Sequence, residues 1–208
     1  AKDNGQLVGR ATDPVAGGLS LDGILGAGYF ARTGGEVLLL GAGGSAAALS
    51  LHLLQKEQSG DRPRRVVVVN RSPERLERLA RMVERFPTDI YFEYIQNSDP
   101  ARNDEILTGL PAGSLVVNAT GMGKDTPGSP VTGRSPFPLN GIAWELNYRG
   151  ELDFLQQANV QQSARQLRVE DGWAYFIHGW AQVISHVLHV EIDPPLLARL
   201  AQLAATVR

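Results

Sequence analysis

The distribution of apolar residues along the chain predicts an alternation of strands and helices. Short continuous apolar runs are typical of strands that are buried on both faces of a parallel sheet. Such runs occur at 37–40, 66–69, 91–95, 115–118, 142–146 and 167–170. Helical patterns lie between or after them, at 45–56, 72–86, 173–190 and 194–207. This order predicts an α/β fold with a doubly wound, mostly parallel sheet, and six strands complete its two similar halves.

A polar cap before a proline at the first helical position is a helix start signal, and it supports two of the predictions. These signals are Ser72-Pro73 and Asp13-Pro14. The apolar face expected after Pro73 comprises Leu76, Leu79, Ala80, Val83 and Phe86. The scattered apolar anchors expected after Pro14 are Leu19, Leu25, Tyr29 and Phe30. Intervening glycines make this first helix the weaker of the two predictions.

The amino-terminal residues predict half of a β-hairpin. Asn4-Gly5 favours a tight turn because both residues tolerate positive φ, and residues 6–10 resemble the strand that leaves it. Only residues 1–3 precede the turn, so its partner strand is missing, and the chain begins with Ala rather than Met. We therefore expect a fragment that lacks an upstream domain. Residues 1–13 would be the remnant of that domain or a link to it, and 14–208 a single domain.

Composition and charge favour a small-molecule partner. Lys and Arg total 20 against 22 Asp and Glu, so the net charge of -2 provides no basic field for a nucleic acid or an anionic membrane. The absence of cysteine excludes disulfides and thiolate chemistry and suits the cytoplasm. No apolar run approaches the roughly 20 residues of a membrane span. A homodimer is compatible with these data.

A glycine-rich turn, Gly41-Ala42-Gly43-Gly44-Ser45-Ala46, joins a predicted buried strand to a predicted helix. In a dinucleotide-binding turn the first glycine permits the bend, the second admits a pyrophosphate, and the third position packs closely, here as Ala46. The N–H groups and the dipole of the helix start favour phosphate charge. The alternative is a glycine turn with a packing role only.

The end of the next strand, Asn70-Arg71-Ser72, indicates which dinucleotide is bound. An acidic residue here would accept the ribose 2′-hydroxyl of NAD, but this strand end has no acid and is followed by an arginine. Arg75 follows one helical turn later, and its planar guanidinium also suits phosphate oxygens. These residues predict NADP. Two solvated surface arginines are the alternative.

Another apolar strand ends in the loop Asn118-Ala119-Thr120-Gly121-Met122. Ligands of open α/β sheets bind beyond the carboxyl ends of the strands, so this loop is expected to line the nicotinamide side of the site. A plain surface turn is the alternative. His178, His186 and His189 fall on one predicted helix, but no carboxylate lies at a recognised zinc spacing, and we predict no metal.

Together these motifs resemble the shikimate dehydrogenase family. The resemblance rests on Gly41-Ala42-Gly43-Gly44, Asn70-Arg71-Ser72, Asn118-Ala119-Thr120, and Asp171-Gly172 followed by His178. It covers nearly the whole chain, but only the carboxyl-terminal, NADP-binding Rossmann domain of the family. The substrate-binding domain would lie upstream of this chain. The resemblance adds Gly172 to the cofactor site.

The resemblance also assigns a catalytic residue. The family has Asn-Thr-Asp before the helix that links its domains, where this chain has Ala11-Thr12-Asp13. Asp13 would thus be the aspartate of a lysine–aspartate pair that handles the substrate hydroxyl proton, with the lysine outside this chain. A helix cap is the alternative role for Asp13, and the two roles can coexist.

Two departures from the family bear on the substrate. A glutamine that touches substrate usually follows the histidine, whereas Gly179 and Trp180 follow His178 here. The Tyr-containing segment after the fifth strand is replaced by 144–150, where Tyr148 partly substitutes. Both changes predict a reshaped pocket for a different hydroxy acid or a polyol.

The resemblance implies an NADP-dependent oxidoreductase of aromatic amino acid biosynthesis. It would transfer hydride reversibly between NADP(H) and a cyclic hydroxy acid or ketone such as shikimate and 3-dehydroshikimate, and this chain alone would be inactive. Two other interpretations remain open. One is another two-domain NADP enzyme, such as glutamyl-tRNA reductase or methylenetetrahydrofolate dehydrogenase; the other is a non-catalytic NADP sensor or regulatory module.

Overall fold

The computed structural model describes residues 2–9, 11–56 and 61–206. The strands are β1 (Lys2–Asp3), β2 (Gln6–Leu7), β3 (Val37–Leu40), β4 (Arg65–Asn70), β5 (Tyr91–Gln96), β6 (Leu115–Asn118), β7 (Ile142–Glu145) and β8 (Arg168–Glu170). The helices are α1 (Asp13–Leu25), α2 (Tyr29–Thr33), α3 (Gly44–Gln55), α4 (Pro73–Val83), α5 (Pro100–Thr108), α6 (Asp153–Arg165), α7 (Trp173–Leu188) and α8 (Pro194–Ala205). The ends predicted at residues 10 and 207 lie outside the described residues.

Strands β3 to β8 form one parallel sheet in the order β5-β4-β3-β6-β7-β8. The predicted doubly wound sheet is thereby confirmed, with the strand order of the Rossmann fold. The chain proceeds outwards from β3 in one direction and then from β6 in the other. Such a switch point opens a crevice beyond the carboxyl ends of the two central strands.

Apolar side chains fill both faces of this sheet. Val37 and Leu39 belong to a cluster that includes α1, α3 and α4, whereas Leu38 and Leu40 belong to a second cluster with α5 and α6. Successive side chains of a strand point to opposite faces, so a strand covered by helices on both sides must be apolar throughout. This explains why continuous apolar runs locate the strands.

The amino-terminal turn has a partner strand within this chain, which corrects the expectation that this strand is missing. β1 pairs antiparallel with β2 across Asn4 and Gly5. Their φ angles of 48° and 82° are those that a tight hairpin turn requires. Each strand has two residues, so the second strand ends at Leu7 rather than at residue 10.

Asp13 does not cap α1, contrary to the prediction. The helix begins with Asp13 itself, Thr12 occupies the cap position, and Pro14 follows in the first turn. The anchor predicted at Leu19 is also wrong, since this side chain is 47% exposed, whereas Leu25 and Phe30 are buried.

The glycines of α1 permit this helix to pack closely against α3. A Cβ added at Gly17 would lie 3.3 Å from Cδ2 of Leu49 on α3.

The sequence pattern did not locate α2, α5 and α6. Few apolar side chains of these helices reach the core: Phe30 from α2, Leu107 from α5, and Phe154 and Ala158 from α6. A narrow apolar stripe of this kind gives weak helical periodicity. Among the helices of the described residues, none combines the length and the hydropathy that a membrane span requires.

Candidate functional site

The glycine-rich turn connects β3 to α3 at the switch point of the sheet. The backbone N–H of Gly41 donates to the carbonyl of Val69 on the neighbouring strand at 2.7 Å. Gly41 has a φ of 114°, and a Cβ added there would lie only 2.6 Å from the carbonyl oxygen of Ala119. Only glycine combines this backbone angle with such a close approach. The bend predicted at Gly41 is therefore present.

The next two glycines leave space at the start of α3. Cβ atoms added at Gly43 or Gly44 would meet nothing within 4 Å. Gly43 occupies the cap position and, within the described residues, no side chain bonds to the N–H groups of this helix start. These groups and the helix dipole therefore form a cradle that fits an anion. Ala46 is fully buried beneath it, as expected of the close-packing position.

The end of β4 stabilises the turn and presents cationic side chains. The amide oxygen of Asn70 accepts the N–H of Ala42 at 3.3 Å, and its amide nitrogen donates to the carbonyl of Ser72 at 3.1 Å. Arg71 and Arg75 are exposed. The hydroxyl of Ser72 donates to the carboxylate of Glu74 at 2.6 Å, and this bond lowers the pKa of Glu74.

A cleft of about 250 Å³ opens at the carboxyl ends of β3, β4 and β6. We call it the turn cleft. Its lining includes most of the predicted cofactor residues: Gly41, Ala42, Gly43, Asn70, Arg71, Arg75, Ala119, Thr120, Gly121 and Met122. Asn97, Ser98 and Asn103 complete the wall near β5, and sequence reasoning missed them. Their position just beyond another strand end was the available signal.

Arg75 also faces a second cavity, of about 400 Å³, between the start of α3 and the helix α4. Gly43, Gly44 and Arg78 line this cavity with Arg75. Arg78 was not predicted, although it lies one turn beyond Arg75 on the same helix. The helix start and two guanidinium groups make this region suited to phosphate groups.

The loop after β6 is held by the side chain of Asn118, which is completely buried. The amide oxygen of Asn118 accepts the N–H of Thr120 at 3.1 Å and its hydroxyl at 2.6 Å. The Thr120 hydroxyl oxygen in turn accepts the N–H of Met122 at 3.1 Å. Asn118 therefore supports the loop from beneath, and Ala119, Thr120 and Gly121 form the exposed wall.

Glu145, at the end of β7, is a buried acid that sequence reasoning did not single out. It is fully buried beside Asn118, its partner in the strand register. Burial raises the pKa of Glu145 to about 7, although hydrogen bonds from Asn147 and Asn118 act in the opposite direction. A polar residue within an apolar strand was the available signal.

A second cleft, of about 410 Å³, contains Asp13 and is called here the Asp13 cleft. The hydroxyl of Tyr175, on α7, donates to the Asp13 carboxylate at 2.8 Å and also lies 3.3 Å from the hydroxyl oxygen of Ser45. Burial raises the pKa of Tyr175 to about 12, so this hydroxyl stays protonated near neutral pH. Tyr175 thus links the predicted catalytic residue to the start of α3.

The two clefts share a wall. Ala119, Thr120 and Gly121 line the turn cleft and the Asp13 cleft alike. Ligands in the two clefts would therefore meet across this short loop.

The far side of the Asp13 cleft is aromatic. Tyr148 stacks on Phe176 with ring centroids 4.1 Å apart, and Phe176 meets Trp180 edge-on at 6.3 Å. Trp180 is 54% exposed, and a Cβ added at Gly179 would meet nothing within 4 Å. Lys124 adds a cation to the lining. Gly179 therefore adjoins open space beside an aromatic wall, and the reshaped substrate pocket stays a prediction.

Two other predicted residues lie away from the cleft walls. Gly172 allows the start of α7 to approach Leu146, since an added Cβ would lie 2.1 Å from the Leu146 carbonyl oxygen. Nδ1 of His178 lies 2.7 Å from the hydroxyl oxygen of Ser20, and burial lowers the pKa of His178. Within the described residues no group of three or more His, Cys, Asp or Glu side chains could hold a metal ion.

Comparisons with known proteins identify relatives that this chain matches over about half of their length. No protein-family model matches the chain. The shikimate dehydrogenase (NADP(+)) of Symbiobacterium thermophilum is 32% identical over 180 residues, covering 84% of this chain and 54% of that protein. The protein of that name from Methylobacterium radiotolerans is 28% identical over 176 residues, covering 84% and 55%. The chain thus spans about half the length of these relatives.

Solved structures agree with the sequence comparison. Shikimate 5-dehydrogenase from Thermus thermophilus, solved in complex with NADP(H) and shikimate, is 26% identical with a TM-score of 0.64. The similarity covers 98% of this chain and 66% of that chain. The resemblance indicated by the sequence motifs is thereby confirmed.

Proposed function

The chain is related to the shikimate dehydrogenase family, and we propose that it is the NADP-binding domain of an oxidoreductase that acts on a cyclic hydroxy acid or its ketone. The observation that carries this proposal is the wall of Ala119, Thr120 and Gly121 shared by the turn cleft and the Asp13 cleft. A cofactor in the turn cleft and a substrate beside Asp13 would be in contact there, as hydride transfer requires.

We assign the pyrophosphate of the cofactor to the start of α3. The open backbone at Gly43 and Gly44 supports this assignment, because no Cβ obstructs the N–H groups and the helix dipole favours negative charge. Gly41 and Ala42 would fix the shape of the turn, and Ser45 would stand between the two clefts.

The 2′-phosphate of NADP is assigned to Arg71 and Arg75. Both side chains line the turn cleft, and Asn70 at the strand end is an amide already bonded to Ala42 and Ser72. Among the residues that the structure describes, no carboxylate lines the turn cleft and would repel the phosphate there. Guanidinium groups bind phosphate oxygens through paired, charge-assisted hydrogen bonds. This arrangement favours NADP over NAD.

The nicotinamide ring, when bound, would supply or accept the hydride. The residues of this chain would act on the proton. Asp13 is exposed in its cleft, and the hydrogen bond from Tyr175 orients its carboxylate. By resemblance to the family, this aspartate would belong to a lysine–aspartate pair that exchanges the proton of the substrate hydroxyl. Asp13 is therefore the proposed catalytic residue, and Tyr175 positions it.

The aromatic wall supports a substrate other than shikimate. Gly179 leaves open the space that a glutamine would fill in the family, and Tyr148, Phe176 and Trp180 line the same side. Flat aromatic faces pack against the apolar face of a ring. Lys124, whose Nζ lies 3.2 Å from the Asp125 carboxylate, would exchange this partner for a substrate carboxylate. We propose a cyclic hydroxy acid or polyol that is bulkier than shikimate at this position.

The organisation of the whole protein is also a proposal. Residues 1–13 would be a link to a substrate-binding domain and 14–208 the cofactor domain, since α1 begins at Asp13. We propose a cytoplasmic enzyme that binds no nucleic acid, because the chain has no cysteine and a net charge of -2. A homodimer is proposed as well, to be tested by sedimentation.

The experiment that tests this function is a turnover assay of the full-length gene product with NADP⁺ and a panel of cyclic hydroxy acids and polyols. We expect oxidation of at least one of them. Asp13→Asn should lower kcat by about a hundredfold or more, as loss of a general acid–base does, while NADPH binding is retained. The control is Asp22→Asn on the same helix, whose carboxylate pairs with Lys56 outside both clefts and which should keep full activity.

A second candidate function is a non-catalytic NADP sensor. The replacement of the family's substrate-touching glutamine by Gly179 favours it, because such a protein would no longer need a complete substrate pocket. A sensor would bind NADPH tightly and oxidise nothing in the panel. A protein that does not bind NADPH at all would contradict both candidates.

A further inference from the structure

Glu145 accepts hydrogen bonds from the supports of the loop that separates the two clefts. One of its carboxylate oxygens accepts the amide N–H of Asn118 at 2.6 Å. The other accepts the backbone N–H of Asn147 at 2.8 Å and its side-chain amide at 2.6 Å. Every one of these partners is an uncharged N–H donor. A fully buried carboxylate is costly, and these three N–H donors offset part of that cost.

The direction of these hydrogen bonds fixes the orientation of Asn118. Because the ionised carboxylate of Glu145 offers only acceptors, the amide nitrogen of Asn118 points towards it. The amide oxygen of Asn118 is then left to accept the N–H and the hydroxyl of Thr120. A hydrogen-bond donor at position 145 would face the amide nitrogen of Asn118, which is also a donor. If the Asn118 amide rotated by 180° to avoid this, its nitrogen would face the N–H of Thr120, which is again a donor.

Asn147 extends the same arrangement to the loop backbone. Its amide nitrogen, held by Glu145, also lies 3.2 Å from the carbonyl of Thr120 and 3.1 Å from that of Met122. The chain from 119 to 122 is thus bonded to two amides whose orientation depends on one carboxylate. The wall shared by the two clefts belongs to this segment.

We propose that Glu145 is a positioning residue which, as a carboxylate, holds the loop 119–122 in the shape that receives the nicotinamide end of the cofactor. This inference rests on the proposed function, because it takes NADP as the ligand of the turn cleft. Glu145 lies beneath the loop and touches neither cleft, so its effect passes through Asn118 and Asn147. The adenosine end, at Arg71 and Arg75, is independent of it.

The test compares two ligands on the 208-residue chain by calorimetric titration at about pH 8, above the raised pKa of Glu145, where its carboxylate is ionised. NADPH reaches the loop, whereas adenosine 2′,5′-bisphosphate has the 2′-phosphate but no nicotinamide. Glu145→Gln should weaken NADPH binding about tenfold, roughly the cost of one hydrogen bond to a charged group, and leave the bisphosphate affinity unchanged. Equal weakening of both ligands would show a merely structural role and overturn the inference, as would no weakening of either.

A double variant keeps the inference falsifiable if Glu145→Gln also loosens the fold. Adding Asn118→Asp to Glu145→Gln exchanges the amide and the acid between the two positions. The amide at position 145 then donates to the carboxylate at position 118, which still accepts the hydrogen bonds of Thr120. NADPH affinity should return to within about threefold of the original, a difference of ~0.6 kcal/mol. Failure of this rescue would overturn the inference.

The matched control is another buried acid, Asp61, which accepts backbone N–H groups of α2 away from both clefts. Asp61→Asn should leave the ratio of the NADPH affinity to the bisphosphate affinity unchanged. A changed ratio would show that the effect is not specific to Glu145 and would contradict the inference. A wild-type chain that binds neither ligand would instead contradict the proposed function. The two failures are therefore distinguishable.

Discussion

At the scale of single residues, the Asp13 carboxylate is oriented by a hydroxyl from the opposite end of the chain. Tyr175 donates to Asp13 and also approaches Ser45 at the start of α3. A carboxylate in hydrogen-bond contact with a tyrosine retains acceptor capacity for a substrate proton, since each oxygen has two lone pairs. The contact couples the proposed proton-transfer residue to the helix that would bind the cofactor.

Glu145 leads to a prediction about pH. Its pKa is raised from 4.5 to about 7, so the folded state binds the proton more tightly than the unfolded state. The contribution of Glu145 to the free energy of unfolding is therefore fully present below about pH 4.5 and is lost as pH rises to about 7. The pKa of His178 is lowered, so the unfolded state binds this proton more tightly. Its contribution to the free energy of unfolding is therefore lost as pH falls below the ordinary value of 6.5.

The measurement is urea unfolding of the wild type and of Glu145→Gln between pH 5 and 8. As pH rises, the free energy of unfolding of the wild type should fall relative to that of Glu145→Gln. Because His178 is common to both proteins, its effect cancels in this difference. A difference that does not depend on pH would contradict the raised pKa of Glu145.

Some of these residues could be predicted from the sequence and others could not. Gly41, Asn70 and Arg71 occupy local motifs at strand ends, so their position follows from the strand and helix pattern alone. The contact between Asp13 and Tyr175 joins residues far apart in the chain, and no periodicity reports it. Glu145 was hidden for a similar reason, because its donors come from a neighbouring strand as well as from its own.

At the scale of elements, the start of α7 packs directly on the segment that follows β7. A Cβ at Gly172 would lie 2.1 Å from the Leu146 carbonyl, a backbone atom that can move only with its strand. Gly172→Ala should therefore lower the free energy of unfolding by about 1–3 kcal/mol, as overpacking does. Chemical denaturation would measure this loss.

Gly179→Ala, on the same helix, is the matched control. Its added Cβ would meet nothing within 4 Å, and alanine is the better helix former, so stability should rise by up to about 1 kcal/mol. If both variants lost the same stability, close packing at the start of α7 would not be the cause.

The elements also differ in how well the sequence predicted them. The strands and α3, α4 and α7 have broad apolar faces, and their ends fell within a few residues of the structure. The cap at Asp13 was predicted wrongly because cap preferences describe an isolated helix end, whereas this carboxylate accepts a hydrogen bond from α7. Tertiary contacts overrode the local preference at that position.

At the scale of the whole molecule, the two proposed ligand sites lie on either side of one loop. The cofactor half depends on local motifs around a switch point, which is why the sequence could predict it. The proposed substrate half depends on side chains of α1, of α7 and of the segment after β7, which only the folded chain brings together. The chain spans about half the length of its relatives.

The central claim, that the turn cleft selects NADP through Arg71, is tested most directly by titrating the chain with NADPH and NADH. We predict that NADPH binds at least about tenfold more tightly, the equivalent of one or more charge-assisted hydrogen bonds. Arg71→Ala should reduce this preference, whereas Arg81→Ala, which removes a surface pair with Glu77, should leave it unchanged. Equal affinity of the wild-type chain for NADPH and NADH would contradict the account.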